Sequence, residues 1–178
     1  MSDDSPPMPD LSPDPPPAAD ERATLEAFLD YYRGVIVRKV SGLSFEDATR
    51  STVPSGTNLL SMVRHLGWVE AGWFREIFAG EDVGDPGPPE APDAEDADFR
   101  VLPGETVESI VAFYREEIER ARAIVAAAPS LDELSKRSTR RRGQVSLRWI
   151  LVHMIEETAR HAGHADIIRE QIDGATGD

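Results

Sequence analysis

The chain of 178 residues contains no cysteine, which excludes disulfides, thiolate metal sites, iron–sulfur clusters and a cysteine nucleophile. Any bound metal must therefore use nitrogen and oxygen ligands. Long apolar runs are also missing: the longest, such as AIVAAA, are far shorter than the roughly 20 residues that span a bilayer. The first residues show neither the basic nor the apolar region of a signal peptide. We therefore expect a cytoplasmic protein that has no membrane partner.

Basic residues are scarce in the two segments that hold most of the acidic charge. Residues 1–20 carry five acids and no base, and residues 81–100 carry eight acids and one arginine. Together they account for −12 of the net charge of −14, so the remainder of the chain is close to neutral. Nucleic acid is therefore not an expected partner. We expect a small-molecule substrate instead, and the oligomeric state stays open, with a homodimer among the options.

Large apolar residues are almost absent from residues 1–19, which contain seven of the 14 prolines. Such a segment buries too little apolar surface to offset the entropy of ordering, so we expect a disordered tail. Residues 20–178 are long enough to form one domain with a sizeable core.

Four segments of this domain show apolar residues at helical spacing. Their predicted bounds are 20–41, 57–80, 106–128 and 146–173, with Asp20, Thr57 and Ser146 as N-caps. Residues 43–56 read as a loop or short turn, and residues 81–103 as a long crossover without periodicity. The pattern predicts an all-α fold, a four-helix bundle with long connections and a Pro-rich N-terminal tail.

The apolar stripes of these helices predict the core. In the first helix the stripe contains Leu25, Phe28, Leu29, Tyr32, Ile36 and Val40. In the second it contains Leu59, Val63, Leu66, Trp73 and Ile77. In the third it contains Val107, Ile110, Val111, Tyr114, Ile118, Ala121 and Val125.

The fourth helix places a carboxylate and an imidazole in the middle of its apolar face. Glu157 and His161 are four residues apart, so their side chains project side by side and can reach one ion. A carboxylate that is buried without a partner or a metal costs several kcal/mol of stability. We therefore expect Glu157 to have a partner or a metal. The same spacing also occurs in solvated pairs and in buried hydrogen bonds, so both interpretations remain open for this stretch alone.

Other polar residues lie near this stripe or lead into it. His65, on the second helix, shares a partly apolar side with Gly72, and an ordinary boundary histidine is the alternative to a ligand there. His153 and His164 flank the stripe of the fourth helix. The basic run from Lys136 to Arg142 precedes this helix; such runs are usually solvated loops, with anion binding as the alternative.

The motifs RHLGW in the second helix and HMIEETARHAGHADIIRE in the fourth resemble the DinB-like superfamily of metal-binding four-helix bundles. The resemblance is to its mini-circle-type (DUF664) branch, and it extends over roughly residues 21–172. Members generally bind a divalent metal through one histidine of the second helix and two residues four apart on the fourth. Many have two histidines at the latter positions. This chain has Glu157 and His161, as in the similar metal-binding domain of mycothiol-dependent maleylpyruvate isomerases.

The resemblance implies that His65, Glu157 and His161 bind one divalent metal, with zinc expected and nickel as the alternative. The His-Glu-x-x-His motif of metallopeptidases and the paired Glu-x-x-His motifs of di-iron proteins are absent from the sequence. His153 and His164 match no ligand position, and we assign them candidate roles in orienting groups or in catalysis.

The resemblance further implies a function for the site. Three protein ligands leave a coordination position open, where a low-molecular-weight thiol such as mycothiol or bacillithiol can bind. We therefore predict a metal-dependent thiol transferase or isomerase that acts on a small electrophile, with Arg141, Arg142 or Arg148 meeting anionic groups. A non-enzymatic metal-binding or stress-associated protein is one alternative. A metal-assisted hydrolase that uses His153 or His164 as base is another.

Overall fold

A computed structural model describes residues 13–87, 96–139 and 141–177. These residues form α-helices and two isolated bridges, without a strand, which confirms the all-α prediction. The five α-helices are α1 (Glu21–Val40), α2 (Phe45–Thr49), α3 (Leu59–Glu70), α4 (Val107–Ala127) and α5 (Leu147–Asp173). A π-helix (Ala71–Phe78) continues α3, and a 3-10 helix (Ala97–Phe99) precedes α4.

Side-chain caps fix the starts of the helices. Asp20, Thr106 and Ser146 cap α1, α4 and α5 by accepting hydrogen bonds from backbone N–H groups three residues on. The prediction of Thr57 as the second cap is wrong, because Asn58 takes this role in a reciprocal capping box with Ser61. The region predicted as a loop or short turn also contains a five-residue helix, α2.

The π-helix changes which residues of the second predicted helix face the core. Its hydrogen bonds span five residues rather than four, as between the Ala79 N–H and the Phe74 carbonyl at 2.9 Å. The helical face is therefore rotated relative to a regular α-helix. Phe74 and Phe78 are buried, whereas the predicted core residues Trp73 and Ile77 are only half-buried. Phe28 of α1, also predicted in the core, is 42% exposed.

The long helices pack as a bundle in which α1 contacts α5, α3 contacts α4, and α3 also contacts α5. Their apolar side chains form two clusters, one toward each end of the bundle. Between these clusters α1, α3, α4 and α5 contribute buried polar residues: Arg33, Glu70, Glu117, Glu157, Thr158 and His161. We call this set the polar layer. It is the part of the interior that apolar packing does not explain.

The predicted tail lies partly outside the described residues, since the structure describes only residues 13–19 of it, and these form no helix. Residues 88–95 of the predicted crossover also lie outside the described residues. In the portions of the chain that are described, no helix has the length and apolar character needed to cross a bilayer.

Candidate metal centre

Three side chains from α3 and α5 meet at one edge of the polar layer. His65 lies on α3, one residue after the buried Arg64, and Glu157 and His161 lie one turn apart on α5. One possible ligand atom from each of the three residues lies within 4.8 Å of the others. No more than 12% of any of the three side chains is exposed. The structure therefore brings together the three residues that the sequence and the family resemblance singled out, as a group that can hold a metal ion.

The distances from Glu157 to the two histidines fit a small divalent ion. The Nε2 atoms of His65 and His161 lie 3.5 and 3.1 Å from Glu157 Oε1. Tetrahedral zinc, with bonds of about 2.0–2.1 Å, sets neighbouring ligand atoms about 3.3 Å apart. In addition, His65 Nε2 is buried and has no hydrogen-bond partner among the described residues. A buried nitrogen of this kind, next to a carboxylate, is suited to ligation.

Asp98 orients the His65 ring. Its Oδ2 lies 2.5 Å from Nδ1 of His65, and the Phe99 ring stacks on the imidazole with 3.9 Å between centroids. When the imidazole is neutral, this contact keeps the proton on Nδ1 and leaves the Nε2 lone pair facing Glu157. A carboxylate behind a histidine is a common arrangement around metal ligands.

The residue next to His65 fixes the segment that carries Asp98. The Arg64 guanidinium donates from Nη1 to the carbonyl oxygens of Ala97 and Asp98 at 2.9 and 3.2 Å, and from Nε to Glu105 at 3.0 Å. Arg64 thus links α3, the 3-10 helix and the turn before α4. Sequence reasoning missed Asp98, which comes from the acidic segment without periodicity. The only local sign in the sequence of a role for Asp98 is that it lies, with Phe99, near the end of this segment.

Charges around the centre favour an ionised Glu157 carboxylate. Contacts with His161 and His65 lower the pKa of Glu157, and Arg160 adds to this effect from the solvent side through an ion pair. Burial favours neutral His65, but Asp98 and Glu157 outweigh burial and raise its pKa. The site thus holds a carboxylate between two imidazoles, an arrangement that can accept a divalent cation.

The two other histidines of α5 lie in different surroundings. His164 is exposed, with its ring centroid 5.9 Å from that of His161. His153 is one turn before Glu157 and stacks on Trp149 with 5.0 Å between centroids. The structure therefore places His164 beside the candidate centre and His153 in an aromatic cluster next to it.

The three arginines predicted to bind anions also differ. The Arg148 guanidinium pairs with Glu21 at 2.7 Å and with Asp132, so two carboxylates already engage it. Arg141 is exposed. Arg142 lies over the Trp149 ring, with 5.2 Å between Cζ and the ring centroid. Of the three, Arg142 is in contact with the aromatic cluster beside the centre.

Comparison with known families then relates this geometry to other proteins. The Mycothiol-S-transferase family matches residues 24–174, a range that contains all three residues of the candidate centre. The chain belongs to this family. Because it is a DinB-like family, the predicted superfamily is confirmed.

Comparison with solved structures and curated proteins adds evidence on the fold. The chain is similar to a conserved protein from Enterococcus faecalis, with a TM-score of 0.61 and 14% sequence identity. The match covers 89% of this chain and 100% of that one, and at this identity it shows a shared fold. No curated protein matches the chain.

Proposed function

We propose that the protein is a metal-dependent thiol S-transferase that joins a low-molecular-weight thiol of the mycothiol type to a small electrophile. One observation carries the proposal: Nε2 of His65, which is buried and has no hydrogen-bond partner among the described residues, faces Glu157 and His161 in a group that can hold a metal. Membership of the Mycothiol-S-transferase family supports the choice of thiol. The absence of cysteine from the chain means that the nucleophilic sulfur must come from the cosubstrate.

The donor set favours zinc. His65, Glu157 and His161 supply two imidazole nitrogens and one carboxylate oxygen, a set that zinc accepts while keeping one position open. Nickel binds the same ligand types and is the alternative that elemental analysis distinguishes. When bound, such an ion lowers the pKa of a coordinated thiol toward neutrality.

The surrounding residues of the chain handle the proton and the charges. In this proposal His164, which is exposed beside His161, accepts the proton that the thiol loses. The thiol sulfur then forms a bond to the electrophilic carbon, and the leaving group departs with its bonding pair. Phe99 covers the His65 ring and limits the access of water from that side. We include a cytoplasmic location in the proposal, because low-molecular-weight thiols stay reduced there.

Turnover with a defined pair of substrates tests the proposal. Metal-loaded protein should conjugate mycothiol to the electrophile monochlorobimane, and removal of the metal with a chelator should abolish the reaction. Glu157→Gln should lose activity, since it keeps the side-chain shape but removes the negative charge. Glu156→Gln is the matched control, because it makes the same change at the exposed neighbouring position and should retain activity.

The alternatives predict different outcomes of this experiment. A non-enzymatic metal-binding protein would bind the ion but show no conjugation with any thiol. A metal-assisted hydrolase would act on esters or amides without requiring a thiol. Either result would contradict thiol transfer while leaving the metal site intact.

A further inference from the structure

Three aromatic side chains form a half-buried surface where the π-helix meets the start of α5. The ring centroids of Trp73 and Trp149 are 5.3 Å apart, and His153 lies 4.7 Å from Trp73 and 5.0 Å from Trp149. His153 and Trp149 are nearly parallel, with 22° between their planes. We call Trp73, Trp149 and His153 the aromatic platform. These three residues have no part in the proton transfer and the thiol transfer proposed for the candidate metal centre.

The π-helix explains why Trp73 belongs to the platform and not to the core. In this segment Phe74 and Phe78 occupy the apolar interior, so Trp73 is left at the edge that faces α5. A π-helical turn is an uncommon feature that often occurs at functional sites. The departure from α-helical geometry thus turns a large aromatic ring toward α5, the helix that carries Glu157 and His161.

The aromatic platform lies next to the candidate centre along α5. His153 precedes Glu157 by one turn, about 6 Å along α5, and Trp149 precedes it by two turns, about 12 Å. Gly72 follows His65 by two turns, on the same side of its helix. A Cβ at Gly72 would have no heavy atom of the described residues within 4 Å, so open space adjoins its backbone.

The chemistry of this surface suits a polyol ring. The C–H groups on one face of a sugar or cyclitol ring carry slight positive charge and pack on the negative face of an aromatic ring. The hydroxyl groups around such a ring need polar partners. The exposed Arg142, whose guanidinium lies 5.2 Å from the centroid of the Trp149 ring, provides a charged donor there.

We propose that the aromatic platform binds the polyol part of the thiol cosubstrate while its sulfur lies at His65, Glu157 and His161. This inference rests on the proposed function. Mycothiol carries its cysteine on two linked polyol rings, and the distances of about 6 and 12 Å along α5 suit a ligand of that length. The aromatic platform would therefore distinguish a sugar-bearing thiol from a simple one.

The test compares two thiols and two matched tryptophan variants. Trp149→Leu removes an aromatic face of the platform but keeps an apolar side chain. Trp68→Leu makes the same change at another half-buried tryptophan of the second predicted helix, which packs on Phe113 with 5.3 Å between centroids. Mycothiol and N-acetylcysteine are titrated into each metal-loaded protein by calorimetry, and KM is measured for both with monochlorobimane.

Trp149→Leu should weaken mycothiol binding and raise its KM by about tenfold, whereas N-acetylcysteine should be unaffected. Trp68→Leu should match the parent with both thiols. Gly72→Leu, which fills the open space, should act like Trp149→Leu, and Gly163→Leu, at an exposed glycine with similar open space on α5, should have no effect on mycothiol.

Calorimetry separates failure of this inference from failure of the proposed function. If the parent binds mycothiol but catalyses no conjugation, the proposed reaction is wrong and the binding data still decide the role of the platform. Equal mycothiol affinity in Trp149→Leu and the parent would overturn the inference, as would equal losses for both thiols or no binding of mycothiol to the metal-loaded parent.

Discussion

Two glutamates of the polar layer, Glu70 and Glu157, are both removed from water but have different partners. Glu70 is 1% exposed and meets Arg33, which donates from Nε and Nη2 to its two oxygens at 2.7 and 2.6 Å. Glu157 meets two imidazoles, and its arginine partner, Arg160, lies on the exposed side. A fixed guanidinium neutralises the first carboxylate, whereas the second lies among groups that can either carry protons or bind a cation.

The pKa shifts reflect this difference. Burial raises the pKa of Glu70 even though Arg33 acts in the opposite direction. Contacts with His161 and His65 lower the pKa of Glu157. The contrast teaches that a buried carboxylate is not by itself evidence for a functional site. Its partners decide: a bidentate guanidinium indicates a structural pair, and converging imidazoles indicate a centre for a cation.

The largest effect on stability should come from breaking the structural pair. Arg33→Met leaves the Glu70 carboxylate buried without its partner, and the free energy of unfolding should fall by about 3–5 kcal/mol. Urea denaturation of the metal-free proteins measures this change. The double variant Arg33→Met/Glu70→Leu should recover most of the loss, because it removes both charges. A double variant no more stable than the single one would show that pairing is not what makes Arg33 important.

The candidate metal centre should stabilise the protein only when metal is present. Zinc at 100 times its Kd should raise the free energy of unfolding by about 2.7 kcal/mol, since the ion binds the folded state. His65→Ala should lose this gain. His153→Ala is the control, because it removes a histidine that lies outside the group of ligands, and it should gain as much as the parent. If zinc raised the free energy of unfolding of His65→Ala as much as that of the parent, the ion would bind at a different site.

The contact between Asp98 and His65 should tune metal affinity. Asp98→Asn removes the charge behind the imidazole and should weaken zinc binding by about 10–100-fold, as measured by competition with a chromophoric chelator. Asp96→Asn tests the same change two residues earlier, at an exposed position with a φ of 57° that asparagine also tolerates. If the two variants bind zinc equally well, Asp98 does not position His65.

The smallest effect should come from Glu157 in the absence of metal. Glu157→Gln keeps the size of the side chain and one acceptor oxygen at a position whose arginine partner is exposed, so the free energy of unfolding should change by less than about 1 kcal/mol. Glu70→Gln should cost more, because it leaves the buried Arg33 charge with only the partly exposed Asp30 as an ionic partner. Urea denaturation of both metal-free variants compares them directly. Equal losses would remove the distinction between the two glutamates.

Much of the fold follows from local pattern. Apolar periodicity and capping residues predicted all four long helices, including the caps Asp20 and Ser146. The spacing of Glu157 and His161 on a buried stripe predicted two of the three residues of the candidate centre, because side chains four apart on one helix are neighbours. Family resemblance, and not spacing, supplied His65 as the third member of the group.

The remainder depends on tertiary contacts or on local departures from regular geometry. A template of 3.6 residues per turn placed Trp73 in the core, but the π-helix gives that place to Phe74. Asp98 reaches His65 because Arg64 holds its segment, a contact between distant parts of the chain that no periodicity encodes. The pairing of Arg33 with Glu70 was also missed, since charged residues on a helix are usually assigned to its solvated face.

The central claim is that His65, Glu157 and His161 together hold one divalent ion. Elemental analysis of the parent, Glu157→Gln and Glu156→Gln after equilibrium dialysis against zinc tests it most directly. The parent and Glu156→Gln should each retain about one ion per chain, and Glu157→Gln should retain almost none. Equal metal content in all three proteins would contradict the claim.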